Sequence, residues 1–453
     1  MVKLGFTQGV ACPCIFFHAE KDIVCTVHGD DFTAVGSKAS LDWYEAALED
    51  KYELKKGGRL GPGPDDDREA TCLNRVIRWC DHGLEYEADP RQVEKLVEAL
   101  ELEGANSCVT PGLKPLMEQI EADQPLSPDR HTSFRALAAR ANYLSADRPD
   151  CQYAAKEICR WMSSPTELAM TALKRLGRYL VGKPRMVFKY GFQSADSIDC
   201  YSDTDWAGCP KTRKSTSGGV ILLGEHILKT YSSTQPTISL SSGEAEFYGV
   251  VRATGAALGQ QSLFADLGTP LGVRVWTDSS AAIGICSRQG LGKLRHIDTQ
   301  TLWVQEKVRT KQIILKKVHG EVNPADLLTK FLSSKDKIEQ LVKLFGLEFM
   351  SGRAKSAPLL RKKTKDTIAD DCDGDIDLNV LDDIDEDREV VVPEAVIHDL
   401  DIWPHMYSKD LQNAMFPTAI AVPDRDDVDP HALEEHARLH RRWAATRISV
   451  TRG

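Results

Sequence analysis

Apolar and polar residues change period along this chain, and the changes divide it into four blocks. In the first, residues 1–115, CPCIFFHA and DIVCTVHG read as short strands, and SLDWYEAALEDKYEL repeats apolar residues at helical spacing. GGRLGPGPDDD interrupts with glycine, proline and acid and predicts a loop. EATCLNRVIRW and LEYEAD alternate like the arms of a hairpin. DPRQVEKLVEALEL predicts a helix entered through Asp89 as N-cap and Pro90 in the first turn.

Residues 116–195 are predicted helical, with apolar spacing near 3.6 in SFRALAARANYLSA, CQYAAKEICRWMSS and ELAMTALKRLGRYLVG. The last carries Lys174, Arg175 and Arg178, either a solvated basic face or a surface that tracks phosphates. In residues 196–332 the strands SIDCYSD, GGVILLG and HILKTYSS follow one another through short turns. A long helix from about Ser241 to Ala265 comes next, then the strand VRVWTDS, further helices and the strand IILKKVHG. That order predicts an α/β domain, a mixed sheet with helices packed on it. Residues 333–453 open with a helix, KDKIEQLVKLFG. DDCDGDIDLNVLDDIDEDRE follows, too acidic for a core and expected to be disordered, and the end holds a basic amphipathic helix candidate, HALEEHARLHRRWAATR. DDCDGDIDLN is no calcium loop: with Gly374 sixth, Ala369 and Val380 fall where acids are required.

Composition narrows the class. The chain has 453 residues, 42% hydrophobic and 27% charged, enough for two or three globular domains. Its net charge of −10 gathers largely after Asp366, so any nucleic-acid surface must be a local basic patch. Twelve cysteines are scattered without CxxC or Cys/His zinc spacing, as expected of reduced thiols in a cytoplasmic or nuclear protein. MVKLGFTQGVACPCIFF is too broken for a signal peptide, and no apolar run reaches the ~18 residues of a membrane span, so no membrane partner is expected.

Candidate chemistry concentrates in the third block. YSDTDWAGCP places Asp203 and Asp205 on the same side of a strand end, where like charges need either open water or a cation. In SSGEAEFYG, Ser241 and Glu244 form a capping box, which leaves Glu246 free to face elsewhere. VRVWTDSS ends on Asp278, and NPADLLTK puts Asp326 in a first turn capped by Asn323. Each acid alone has an ordinary account as a cap or a surface charge. Four of them at element ends can instead converge on one sheet edge, and hard divalent ions ~3.5–4 Å apart need several carboxylates.

YSDTDWAG, KSTSGGVILLG, TISLSSGEAEFYG, WTDSSAAI, RHIDTQ and NPADLLTK, in that order, resemble the ribonuclease H domain of Ty1/copia-type retrotransposon Pol polyproteins. The resemblance implies a ribonuclease H-like mixed sheet with flanking helices. It places the metal-binding and catalytic acids on Asp203, Glu246, Asp278 and Asp326, holding two Mg²⁺ ions with Mn²⁺ as a substitute, and it implies cleavage of the RNA strand of an RNA–DNA hybrid. Glu246 is preferred to Glu244 because Glu246-Phe247-Tyr248-Gly249 fits the family pattern. Asp205, Glu244 and His319 become accessory candidates, His319 against the alternative of a strand-end surface residue. Arg295 and His296 would contact the hybrid backbone, with a local salt bridge to Asp298 as the competing role. Trp206 and Trp276 are expected to pack against the core.

In the first block VHGDDFTAVG resembles the Y-x-D-D word of reverse transcriptases, with His28 where the family has tyrosine. KLGFTQGVACPCIFF resembles the copia-type palm, and YLSADRPD through LGRYLVG resembles the segment that joins polymerase to ribonuclease H. In that family a further metal-binding aspartate and the nucleotide-binding segment precede the G-F-x-Q word, here at Lys3–Gln8. The expectation is therefore a truncated α+β palm with an open strand edge, Asp30 and Asp31 as relic metal ligands, and no polymerase activity from this chain alone. Other Pol or Gag products of the element are the expected protein partners. A non-catalytic nucleic-acid-binding relic, a domesticated scaffold and a gene model lacking upstream sequence remain alternatives.

Overall fold

A computed structural model describes residues 1–360 and the strand Trp443–Val450; the acidic stretch and residues 431–442 of the terminal helix candidate lie outside them. The first sheet is built from β1 (Thr7–Gln8), β2 (Ile15–His18), β3 (Ile23–His28), β4 (Asp31–Ser37) and β5 (Leu54–Leu60), with α1 (Lys38–Glu49) capped by Ser37. Gly29, at φ 63°, makes the tight turn that pairs His28 with Asp31. Two expectations change here. Gly57–Leu60 belong to β5 instead of a loop, and Trp443–Arg447 are strand instead of helix. One pairing explains both, because Trp443–Val450 runs antiparallel between β4 and β5 and hydrogen-bonds to each. The edge expected to be open is thus occupied, since unpaired backbone groups on a strand favour a partner strand, and the β-branched Thr446, Ile448 and Val450 suit one.

A second sheet draws on distant parts of the chain. β6 (Glu69–Cys72), β7 (Arg75–Cys80) and β8 (Gly83–Glu87) form a meander whose first turn places Leu73 and Asn74 at positive φ. The helices α2 (Pro90–Ala99), α3 (Met117–Glu121), α4 (His131–Ser145), α5 (Pro149–Cys159) and α6 (Glu167–Gly182) follow. β9 (Arg185–Gly191) then returns to pair with β8. SADRPD stitches this region together through buried charge. Asp147 accepts from Arg75 and Tyr86, while Arg148, 1% exposed, forks onto Asp150, which also accepts from Tyr179. Removing one partner of such a pair leaves an uncompensated buried charge and costs ~3–5 kcal/mol.

The third sheet carries the acids. β10 (Ser197–Asp205), β11 (Thr216–Leu223) and β12 (His226–Thr234) are antiparallel neighbours. The long α7 (Ser242–Asp266) leads to β13 (Gly272–Thr277), which lies parallel to β10 on its other side. After α8 (Ser280–Ser287) and α9 (Trp303–Arg309), β14 (Ile314–Lys317) adds parallel to β13. The order β12-β11-β10-β13-β14 is the ribonuclease H-like mixed sheet that the sequence implied. α10 (Lys335–Leu344) and β15 (Leu347–Met350), paired with β9, complete the described chain before the terminal strand.

Period-2 alternation in β10 and β13 buries Ile198, Cys200, Val273 and Val275 against Phe247, Val250 and Ala253 of α7. Full burial of each large apolar side chain is worth ~1.5–3 kcal/mol. Helix and strand touch closely at Gly249, where a β-carbon would stand 2.6 Å from Thr204 Oγ1 and 2.9 Å from Ser202 Oγ. That contact, one turn after Glu246, brings the start of α7 down onto the end of β10. No described helix is long and apolar enough to cross a membrane.

Candidate metal centre

Asp203, two residues before the end of β10, is 5% exposed. Glu246 reaches it from the second turn of α7, because Ser241 Oγ caps the Glu244 N–H at 3.2 Å and fixes where the helix begins. Asp278 directly follows β13, and Ser279 beside it caps α8 by accepting from Ala282 N. Carboxylate oxygens of Asp203, Glu246 and Asp278 all lie within 4.8 Å of one another. Asp326 enters from the first turn of a short 3₁₀ helix, Pro324–Leu328, capped by Asn323 as expected. Asn323 is fully buried and ties that turn to the strand, its Nδ2 donating to Ser202 O at 2.9 Å while its Oδ1 accepts from Ala325 N.

So placed, the acids oppose one another's ionisation. Burial raises the Asp203 carboxyl to about 7, with Asp326 and Asp278 adding to the rise and Lys330 and the Thr329 hydroxyl opposing it. Burial, then Asp203 and Asp278, push Glu246 up to about 9. Asp278 is also raised, by burial and by Asp326. Glu246 Oε2 is buried without a hydrogen-bond partner. A bare, buried carboxylate oxygen facing two more carboxylates fits a hard divalent cation, whose charge would reverse the upward shifts. An all-oxygen donor set suits Mg²⁺ or Mn²⁺ and is the wrong chemistry for a soft ion.

The remaining candidates separate. Glu244 is 2% exposed and turned away from the cluster, accepting from Leu240 N at 3.1 Å and pairing with His296 Nε2 at 2.8 Å. Hence Glu246, not Glu244, stands with Asp203 and Asp278. Asp205 is partly buried, its carboxyl raised by desolvation and lowered by Lys114, Lys330 and Lys156. His319 is exposed and caps the short turn Gly320–Val322 with its own ring. It borders the site, since a β-carbon on the next residue, Gly320, would stand 2.9 Å from Asp278 Oδ2. Arg295 is exposed, and Asp298 caps Thr299–Leu302. On α6, Arg175 donates to Thr110 Oγ1 and Arg178 to Asn106 O, so both hold the loop before α3, and Lys174 alone of the three is exposed. Trp276 packs as expected, stacked on Tyr201 at 5.7 Å with Nε1 donating to Asp199. Trp206 does not: it is 46% exposed, because β10 ends at Asp205 and the left-handed Ala207 turns the chain outward.

Two residues of the centre escaped the sequence reading. The Thr329 hydroxyl donates to Asp203, and Lys330 Nζ lies 2.8 Å from Asp326 Oδ1 and 3.9 Å from Asp203 Oδ2. Their spacing of three and four residues after Asp326 was the available signal. Asp30 and Asp31 sit at the tip of the β3–β4 hairpin. Elsewhere among the described residues, Cys80, His82 and Glu85 come within 4.8 Å of one another at the β7–β8 turn.

No family model matches the chain. It is 30% identical over 209 residues to the retrovirus-related Pol polyprotein from transposon RE1 of Arabidopsis thaliana, which takes in 45% of this chain and 14% of that protein. It is 23% identical over 351 residues to the corresponding polyprotein from transposon TNT 1-94 of Nicotiana tabacum, covering 74% of this chain and 25% of the relative. The match therefore spans well under half the length of these relatives. LC11-RNase H1, isolated from compost, overlaps 30% of this chain and 93% of its own at 20% identity, with a TM-score of 0.22.

Proposed function

From the chain's similarity to the retrovirus-related Pol polyproteins of copia-type transposons, we propose that residues 196–332 form a divalent-metal-dependent ribonuclease acting on the RNA strand of RNA–DNA hybrids. The observation that carries this reading is the meeting of Asp203, Glu246 and Asp278 within 4.8 Å, with Asp326 alongside. Those four carboxylates would hold two Mg²⁺ ions, or Mn²⁺ in their place. When bound, the ions lower the pKa of the attacking water and stabilise charge on the leaving 3′-oxygen.

The chain's own groups do the rest. The Thr329 hydroxyl donates to one oxygen of Asp203, which restrains the carboxylate to one rotamer. Lys330 places a cation at the rim between Asp203 and Asp326, where it lowers the repulsion among the acids and meets an incoming phosphate. Asp30 and Asp31 have no part in this chemistry. An RNA–DNA hybrid is the substrate partner, and other Pol or Gag products are the protein partners this reading implies.

The test is incubation of the full chain with an end-labelled RNA–DNA hybrid in Mg²⁺ and, separately, in EDTA. Shortened RNA with intact DNA is expected in Mg²⁺ alone. Intact RNA in both Mg²⁺ and Mn²⁺, from protein shown to be folded, overturns the reading, and hybrid binding under those conditions would leave a binding-only role.

A further inference from the structure

Beside the carboxylates the surface is apolar, although the chemistry above gives it no task. Trp206 is 46% exposed, and Ile238 and Leu240 are 53% and 68% exposed. They form one ledge, because Trp206 Nε1 donates to the carbonyl of Ser239, between the two aliphatics, at 3.0 Å. The ledge is rigidly mounted. Ser239 Oγ donates to Gln235, itself 4% exposed, and Gln235 Nε2 donates to Ser217 Oγ on β11 and to Ala245 O on α7. A half-exposed indole held in one orientation by a buried network is a contact surface more than a packing residue.

A cationic strip continues from it. Residues 207–215 close a loop through Ala207 N to Ser215 Oγ, Cys209 N to Lys214 O and Arg213 N to Cys209 O. Arg160, the C-cap of α5, anchors the loop by donating to Cys209 Sγ and Thr212 Oγ1, and Lys211 lies over the ring of Trp161. The anchored loop carries Lys211, Arg213 and Lys214 on a chain whose net charge is −10. An aromatic ledge one residue past Asp205, continued by cations, matches a nucleic-acid strand: a flat base or sugar against the ring, phosphates along the basic strip.

We propose that Trp206, with Ile238 and Leu240, is the platform on which a nucleotide of the RNA strand rests beside the metal centre, and that the Lys211–Lys214 loop holds the neighbouring phosphates. This rests on the nuclease reading for the identity of the strand. The test measures anisotropy of a labelled RNA–DNA hybrid with the full chain carrying Asp278→Asn, so that nothing is cut, and compares added Trp206→Ala, Trp206→Phe, Leu240→Ser and Lys211→Ala/Arg213→Ala. Trp206→Ala is expected to weaken binding about tenfold, and Trp206→Phe less, since a flat ring remains. The double basic variant should flatten the slope of log affinity against log salt by about one to two. Thermal melts verify folding, and Leu240→Ser probes the same ledge from a side chain that leaves the Trp206 hydrogen bond in place.

With Asp278 restored, Trp206→Ala should raise KM for the hybrid and leave the Mg²⁺ requirement unchanged. If the native chain cuts the hybrid while Trp206→Ala and Leu240→Ser keep its affinity and KM, the platform is refuted and the nuclease stands. If the native chain binds the hybrid without cutting it, the nuclease reading falls, and the same affinity ratios decide the platform. No binding at all by the folded chain refutes both.

Discussion

Asp30–Asp31 and Asp203–Asp205 are two aspartate pairs at strand ends, and the fold treats them differently. The first pair occupies the β3–β4 turn, and among the described residues no third metal-ligating side chain joins it. The second pair ends β10, where a helix start, a parallel strand and a 3₁₀ turn bring Glu246, Asp278 and Asp326 to the same edge. At Asp203 burial and neighbouring acids raise the carboxyl, and at Asp205 three lysines counter the burial. A pair of adjacent acids is thus uninformative by itself. Convergence of several elements turns it into a site, and it requires a sheet edge where their ends coincide.

The largest expected effect breaks the better-furnished pair. Asp278→Asn should reduce hybrid cleavage by more than about 100-fold, the upper end of what losing a mere support of a metal ligand costs. The same variant should melt no lower than the native chain in EDTA, since it removes a repelling charge. Next comes pH. The Asp203 and Glu246 carboxyls keep their protons to about 7 and about 9 when folded, above the ordinary carboxylate range of the unfolded chain. The folded state therefore binds more protons across that window. This contribution to stability is complete below the unfolded carboxylate pKa and fades as pH climbs through those values. Thermal melts in EDTA should accordingly fall between pH 5 and pH 9, whereas saturating Mg²⁺ should flatten the trend.

Smaller changes sharpen the contrast. Gly249→Ala pushes a methyl group into Thr204 and Ser202, and denaturant titration should show a loss of about 1–3 kcal/mol together with slower cleavage. Thr329→Val deletes the hydroxyl that holds Asp203; at about 1 kcal/mol for one hydrogen bond, roughly a fivefold fall in rate is expected. Asp30→Asn with Asp31→Asn should leave hybrid cleavage within about twofold of the native rate, measured under the same conditions. A large loss there would join the hairpin to the site and end the contrast.

Much of the acidic cluster was legible in the sequence because its carboxylates sit at element boundaries, which local rules mark well. Ser241 and Asn323 cap where they were expected, and the cap at Ser241 is why Glu246 and Glu244 face different ways. Long-range contacts were not legible. Nothing local to Trp443–Val450 names β4 and β5 as its neighbours, because partner choice between strands far apart in sequence depends on the whole fold. Arg175 and Arg178 read as either a solvated basic face or a phosphate track, yet their partners are a side chain and a carbonyl of a loop whose path no periodicity reveals. Trp206 was expected to pack against the core, but β10 stops at Asp205, one residue before it.

Counting bound Mn²⁺ by its free-ion paramagnetic resonance signal tests the central claim most directly, using the native full chain, Asp203→Asn, and Asp30→Asn/Asp31→Asn. The prediction is that the native chain and the hairpin variant deplete free Mn²⁺ equally, while Asp203→Asn leaves it largely unbound. Equal binding by the native chain and Asp203→Asn, or loss of binding on changing the hairpin, would contradict the assignment of the metal to the β10 edge.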